Sequence, residues 1–97
     1  TITQVAPADP QQQRTVGDEN TYIAPALFDL QLNGFRGHDY NAPPFDETAP
    51  RKITEAMRRL GVTQHLACIT TGSHQRMLDS IHAVMRARQD PAVARAI

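Results

Sequence analysis

Between residues 26 and 33 the side chains alternate with a period of two: Ala26, Phe28, Leu30 and Leu32 fall on one parity, Asp29, Gln31 and Asn33 on the other. A period of two is that of a β-strand, whose successive side chains point to opposite faces. Gly34 and Gly37 then break the run into a loop over residues 35–44. Three polar side chains on one face of a buried strand are costly unless they find partners. The strand is therefore constrained in one of two ways. Either its polar face meets solvent, as in a one-sided sheet, or that face lines a site.

Downstream of this loop the chain alternates helix and strand signals. Thr48-Ala49-Pro50 reads as a helix start, with Thr48 as N-cap and proline in the first turn, where a missing N–H costs nothing. Ile53, Ala56, Met57 and Leu60 recur at helical spacing, and Gly61 supplies the stop. Residues 62–71 read as a second strand. Ser73 is placed to cap a second helix whose apolar stripe is Met77, Leu78, Ile81, Val84 and Met85, and Asp90-Pro91 ends it. Residues 92–97 begin a further short turn of helix. Strand, helix, strand, helix implies an α/β fold with a parallel sheet. Two such units cannot close a (β/α)8 barrel, which takes about 250 residues. Upstream, Ile2-Thr3-Gln4-Val5 reads as a short strand, and residues 6–14, with two Pro and three consecutive Gln, as a linker. The division is thus residues 1–21, the end of a small β segment plus linker, and residues 22–97, two βα units. The first residue is Thr and residues 93–97 are apolar apart from Arg95 and stop without a cap, so both ends are expected to be cuts through a longer polypeptide.

Charge and composition remove several function classes. Ten basic and ten acidic residues cancel, which offers no electrostatic reason for nucleic acid or an anionic membrane as partner. No apolar run approaches the roughly 20 residues of a membrane helix, and the N-terminus lacks a signal-peptide pattern. One cysteine, Cys68, excludes an intramolecular disulfide, and a cytoplasmic location is the expectation.

Few residues have the type and spacing for chemistry. Asp29, Gln31 and Asn33 would face the mouth of a barrel if their strand belonged to one, because active sites assemble at the C-terminal ends of barrel strands. Arg36 and His38 lie in the loop just after and are placed to touch an anionic substrate or simply to be solvated. His65 and Cys68 have metal-like spacing, but residues three apart on a strand face opposite sides, which favours a structural reading. Thr71 and Ser73 at a helix start fit an ordinary cap better than a phosphate site. His74 and His82 fall off the apolar stripe of the second helix. The four histidines, at 38, 65, 74 and 82, form no close pair, and a metal needs three or four convergent ligands.

The run Tyr22-Ile23-Ala24-Pro25-Ala26-Leu27-Phe28-Asp29-Leu30-Gln31-Leu32-Asn33-Gly34, continuing through Gly37-His38-Asp39-Tyr40-Asn41, resembles the first-strand signature of the amidohydrolase superfamily, and within it the N-acetylglucosamine-6-phosphate deacetylase group. Leu60-Gly61-Val62-Thr63 and Ile69-Thr70-Thr71 resemble the family's next helix-to-strand turn and second strand. The likeness covers residues 22–89 and is specific between 22 and 41. It implies a partial (β/α)8 barrel and a parent hydrolase that removes acetyl from an N-acetylated amino-sugar phosphate with a zinc-like divalent metal. Many amidohydrolases carry His-X-His at the end of this strand. Here the same positions hold Gln31 and Asn33, and a neutral amide is a poor zinc ligand. The resemblance thus assigns Gln31, Asn33, Asp29 and His38 to substrate positioning and to support of a one-metal site. It places the metal ligands and the catalytic acid on later strands. On that basis this chain is expected to hold no metal, to be inactive by itself and to self-associate through open sheet edges. The competing reading is a non-catalytic βαβα interaction module or a degenerate paralogue.

Overall fold

The computed structural model describes residues 17, 18 and 20–97. The strand expected at residues 2–5 and the linker at 6–14 lie outside the described residues.

The described elements are β1 (Leu27–Leu32), β2 (Gly34–Phe35), β3 (His38–Asp39), α1 (Ala49–Arg58), β4 (Val62–Ala67), α2 (His74–Ala87) and α3 (Pro91–Ala94). β1 and β4 pair in parallel with α1 between them in the chain. The fold is therefore mixed α/β with a small parallel sheet, as the alternation of periods predicts. The second strand is shorter than expected, ending at Ala67.

The loop after β1 holds structure that its composition does not announce. β2 and β3 pair antiparallel, Gly34 with Asp39 and Phe35 with His38, around the two-residue turn Arg36-Gly37. Both turn residues have positive φ, 50° at Arg36 and 81° at Gly37. Two-residue hairpins favour such mirror-image turns because their twist matches that of the strands. Glycine accepts the angle freely, whereas at Arg36 it costs about 1 kcal/mol.

The strict alternation of β1 does not survive pairing. Asp29 lies opposite His65 and Leu32 opposite Ala67, so β1 spends three steps where β4 spends two. This bulge moves Leu32 onto the face of Asp29, against the expected grouping of Leu32 with Phe28 and Leu30. The Asp29 carboxylate accepts the Gln31 amide at 2.9 Å and so satisfies the donor that the bulge frees. Leu32 is buried as a result, while Phe28 and Leu30 remain 48% and 70% exposed.

Leu32, Tyr40, Ile53 and Met57 form the core, with Phe35, Val62, Ala67, Ile69, Val84 and Ile97 packed around it. α1 presents Ala49, Pro50, Ile53, Thr54 and Met57 inward. Burial of Ile53 alone contributes about 1.5–3 kcal/mol. Leu60, expected on the same stripe, is exposed because the helix has already ended at Arg58. Its start also differs from the expectation. Thr48 makes no side-chain cap; instead its hydroxyl and amide both donate to Asp46. Those bonds, the hydroxyl first, with Lys52 beside them, hold the Asp46 carboxyl down at about 2.

α2 begins as predicted, Ser73 Oγ accepting the Arg76 amide at 3.3 Å. Its buried residues are Ser80 and Ala83, whereas Ile81 and Met85 of the expected stripe are exposed. The apolar face of α2 is wider than the surface it packs on. Asp90 caps α3 by accepting the Ala92 amide, and the Ala96 carbonyl near its end accepts the His65 amide at 2.8 Å. One outward-facing donor of β4 is thereby covered.

Candidate functional site

β1 and β4 run parallel, so their C-terminal ends lie together, and the loops that leave them define one end of the sheet. Asn41 ties those loops to one another. Its amide nitrogen donates to the carbonyl of Asn33 at 3.3 Å and to that of Cys68 at 3.0 Å, and its amide oxygen accepts the Thr70 N–H at 2.7 Å. Asp39 orients it by accepting both its backbone and its side-chain N–H. The side chain is 7% exposed and bridges segments 27 and 29 residues apart in sequence. A buried amide with its donors and acceptor all engaged rigidifies what it joins.

Next to Asn41, Tyr40 turns inward. Its hydroxyl lies 2.8 Å from His65 Nε2, in a hydrogen bond whose direction is set by the imidazole tautomer. The two rings stack with centroids 6.1 Å apart. Tyr40 is 3% exposed and His65 1%. Burial pushes the phenol up and the imidazole down, since both lose their charged forms on leaving water. The Asp29 carboxylate, opposite His65 across the strand pair, works against that second effect. His65 is accordingly a structural histidine, and Cys68 is joined to the same network only through its backbone.

The residues singled out from sequence are distributed around this keystone. Asn33 and His38 come together on an open groove of about 470 Å³, which Arg36 and Asp39 also line. Asp29 is half-buried, faces His65, and is occupied by its own strand. Gln31 is exposed and lies outside that groove. His74 and His82 are exposed on α2, as their positions off the stripe predict. Among the described residues no three His, Cys, Asp or Glu side chains converge on a point that would hold a metal.

Sequence reasoning missed Asn41, Tyr40 and the partner role of His65. Tyr40 and Asn41 stand inside the resemblance motif without an assigned role. The available signal was a lone aromatic and a lone amide directly after a hairpin, where an ordinary loop would carry solvated residues. Nothing local marks which distant backbone groups such an amide will reach.

Among the described residues no helix is long and apolar enough to cross a membrane. Comparison with known protein families, curated proteins and solved structures finds no match to this chain.

Proposed function

We propose that this chain is the first two βα units of an amidohydrolase-type (β/α)8 barrel, from a cytoplasmic hydrolase that removes acetyl from an N-acetylated amino-sugar phosphate. The observation that carries the reading is the parallel β1–β4 pair with its C-terminal ends joined by Asn41. Barrel enzymes place their sites at that end, and here it bears the resemblance motif, with Asn33 and His38 beside one groove. Exposure of Leu30 and Leu66 is compatible with it, because a parallel sheet is normally covered on both faces.

The donor set present does not make a metal site. Gln31 and Asn33 offer amides, and Asp29 is engaged with the Gln31 N–H. In this proposal a divalent metal of the parent is held by side chains on other strands, and Asn33 and Gln31 orient the substrate by hydrogen bonding. The 97-residue chain alone is then inactive.

The test is acetate release from N-acetylated amino-sugar phosphates by the product of the complete reading frame, with and without added zinc. Turnover that falls at least tenfold in Asn33→Ala supports the proposal. No acetate from any such substrate sinks it. A second reading, a non-catalytic interaction module or degenerate paralogue, draws on the same exposed apolar residues. Absence of both bound metal and turnover in the full product, with a stable partner complex, would favour it.

A further inference from the structure

The hairpin tip carries an arginine where the backbone favours glycine, asparagine or aspartate. At φ 50° Arg36 is the one non-glycine residue with positive φ among the described residues. Unfavourable backbone angles persist where the side chain serves a purpose, and they concentrate at ligand-binding positions. Arg36 forms no ion pair among the described residues. Its guanidinium sits 5.6 Å from the centroid of the Phe35 ring. Stacking of this kind covers a face of the guanidinium and leaves its in-plane fork of N–H donors for a bidentate acceptor.

The neighbouring side chains suit the same acceptor. Arg36 shares its groove with Asn33 and His38, two side chains that donate hydrogen bonds. The one acid on the groove, Asp39, has an oxygen committed to Asn41, which it accepts from twice. The groove therefore presents a cation with no ion pair among the described residues and two further hydrogen-bond donors, held on a two-residue hairpin that Asn41 and the Tyr40–His65 bond pin to the sheet.

We infer that Arg36, with Asn33 and His38, binds the phosphate of a small phosphorylated ligand. The hairpin positions the guanidinium fork for two phosphate oxygens, and Asn33 and His38 donate to the remaining oxygen or to the ester side. The inference names the phosphate-holding residues of the proposed substrate site. It rests on that reading for the sugar, but the phosphate contact belongs to this chain by itself.

The experiment is a titration of the ¹⁵N-labelled chain with inorganic phosphate and, separately, with a sugar phosphate monoester, at constant ionic strength set with chloride. Saturable shifts confined to residues 33–42 are expected. Arg36→Gly should weaken binding at least tenfold while leaving the melting temperature unchanged or higher, since glycine suits the angle. Arg36→Lys, which keeps the charge and loses the fork, should weaken it severalfold. Tighter binding of the monoester than of inorganic phosphate supports a substrate source, and equal binding of the two supports a free-anion site on the same residues. Absence of saturation, shifts scattered over other arginines, or unchanged binding in Arg36→Gly overturns the inference. Phosphate binding without deacetylation by the full product leaves it standing. Deacetylation that is indifferent to the substrate's phosphate overturns it and keeps the hydrolase.

Discussion

At the scale of single residues, Asn41 and His65 are the buried polar groups on which the strand ends depend. Asn41→Ala removes bonds to Asn33, Asp39, Cys68 and Thr70 at once, leaving buried backbone groups without partners. Such groups cost about 1–3 kcal/mol each when orphaned, and water entry recovers part of it. A loss of about 2–3 kcal/mol is expected by urea denaturation. Tyr40→Phe deprives His65 of its hydrogen bond and should cost about 1 kcal/mol. His65 also sets a pH dependence. Burial lowers its folded-state value, so below the ordinary histidine range, near pH 6.5, the unfolded chain takes up a proton that the folded chain resists. Stability contributed by neutral His65 is full above that pH. It falls as the pH drops toward the depressed folded value, at up to about 1.4 kcal/mol per unit. Asp29, the opposing charge, narrows the window. Denaturation midpoints measured from pH 7.5 to 5 should fall in the wild type. His65→Gln should flatten the segment just below pH 6.5, and an unaltered slope there would assign the dependence to other groups.

At the scale of elements, the two long helices are legible in type, and α2 differs from expectation in which side it buries. Helical spacing predicts α1 and α2, and Ser73 caps α2 as expected, whereas α1 ends at Arg58, before the stop expected at Gly61. The stripe on α2 reads as core because apolar spacing cannot say how much partner surface exists. Ile81 and Met85 face a shallow groove with Leu66 and Ile97 that no described element fills. Met85→Lys is therefore expected to change stability by less than about 0.5 kcal/mol, whereas Ile53→Ala should cost about 2–5 kcal/mol. Equal losses in the two variants would mean that α2 packs in solution by the face its sequence suggests. Ser80 is the converse case. Its hydroxyl is buried with no partner among the described residues, so Ser80→Ala should be neutral or should raise the melting temperature by a few degrees.

At the scale of the whole molecule, one sheet of two strands carries more apolar surface than its own helices cover. Leu27, Phe28, Leu30 and Leu66 are each about half or more exposed. The edges are partly blunted, β1 by its bulge at Asp29 and β4 by the Ala96 carbonyl. Association is thus expected through the faces of the sheet more than through strand addition. Sedimentation should show concentration-dependent oligomers that Leu30→Glu with Leu66→Glu reduces to monomer. A wild-type monomer at high concentration would overturn this.

The sequence by itself determined the order and kind of the longer elements, β1, α1, β4 and α2, since periods of two and 3.6 and the capping residues are local properties. It also carried the motif on which the proposed hydrolase reading depends. Only the tertiary structure decided that Leu32 changes face, that residues 34–39 form a hairpin with a strained Arg36 at its tip, and that Asn41 joins both strand ends. Each of these arises from pairing between segments distant in the chain. A bulge exists only relative to a partner strand, and a buried amide acquires its role from the backbone groups that folding brings within about 3 Å of it.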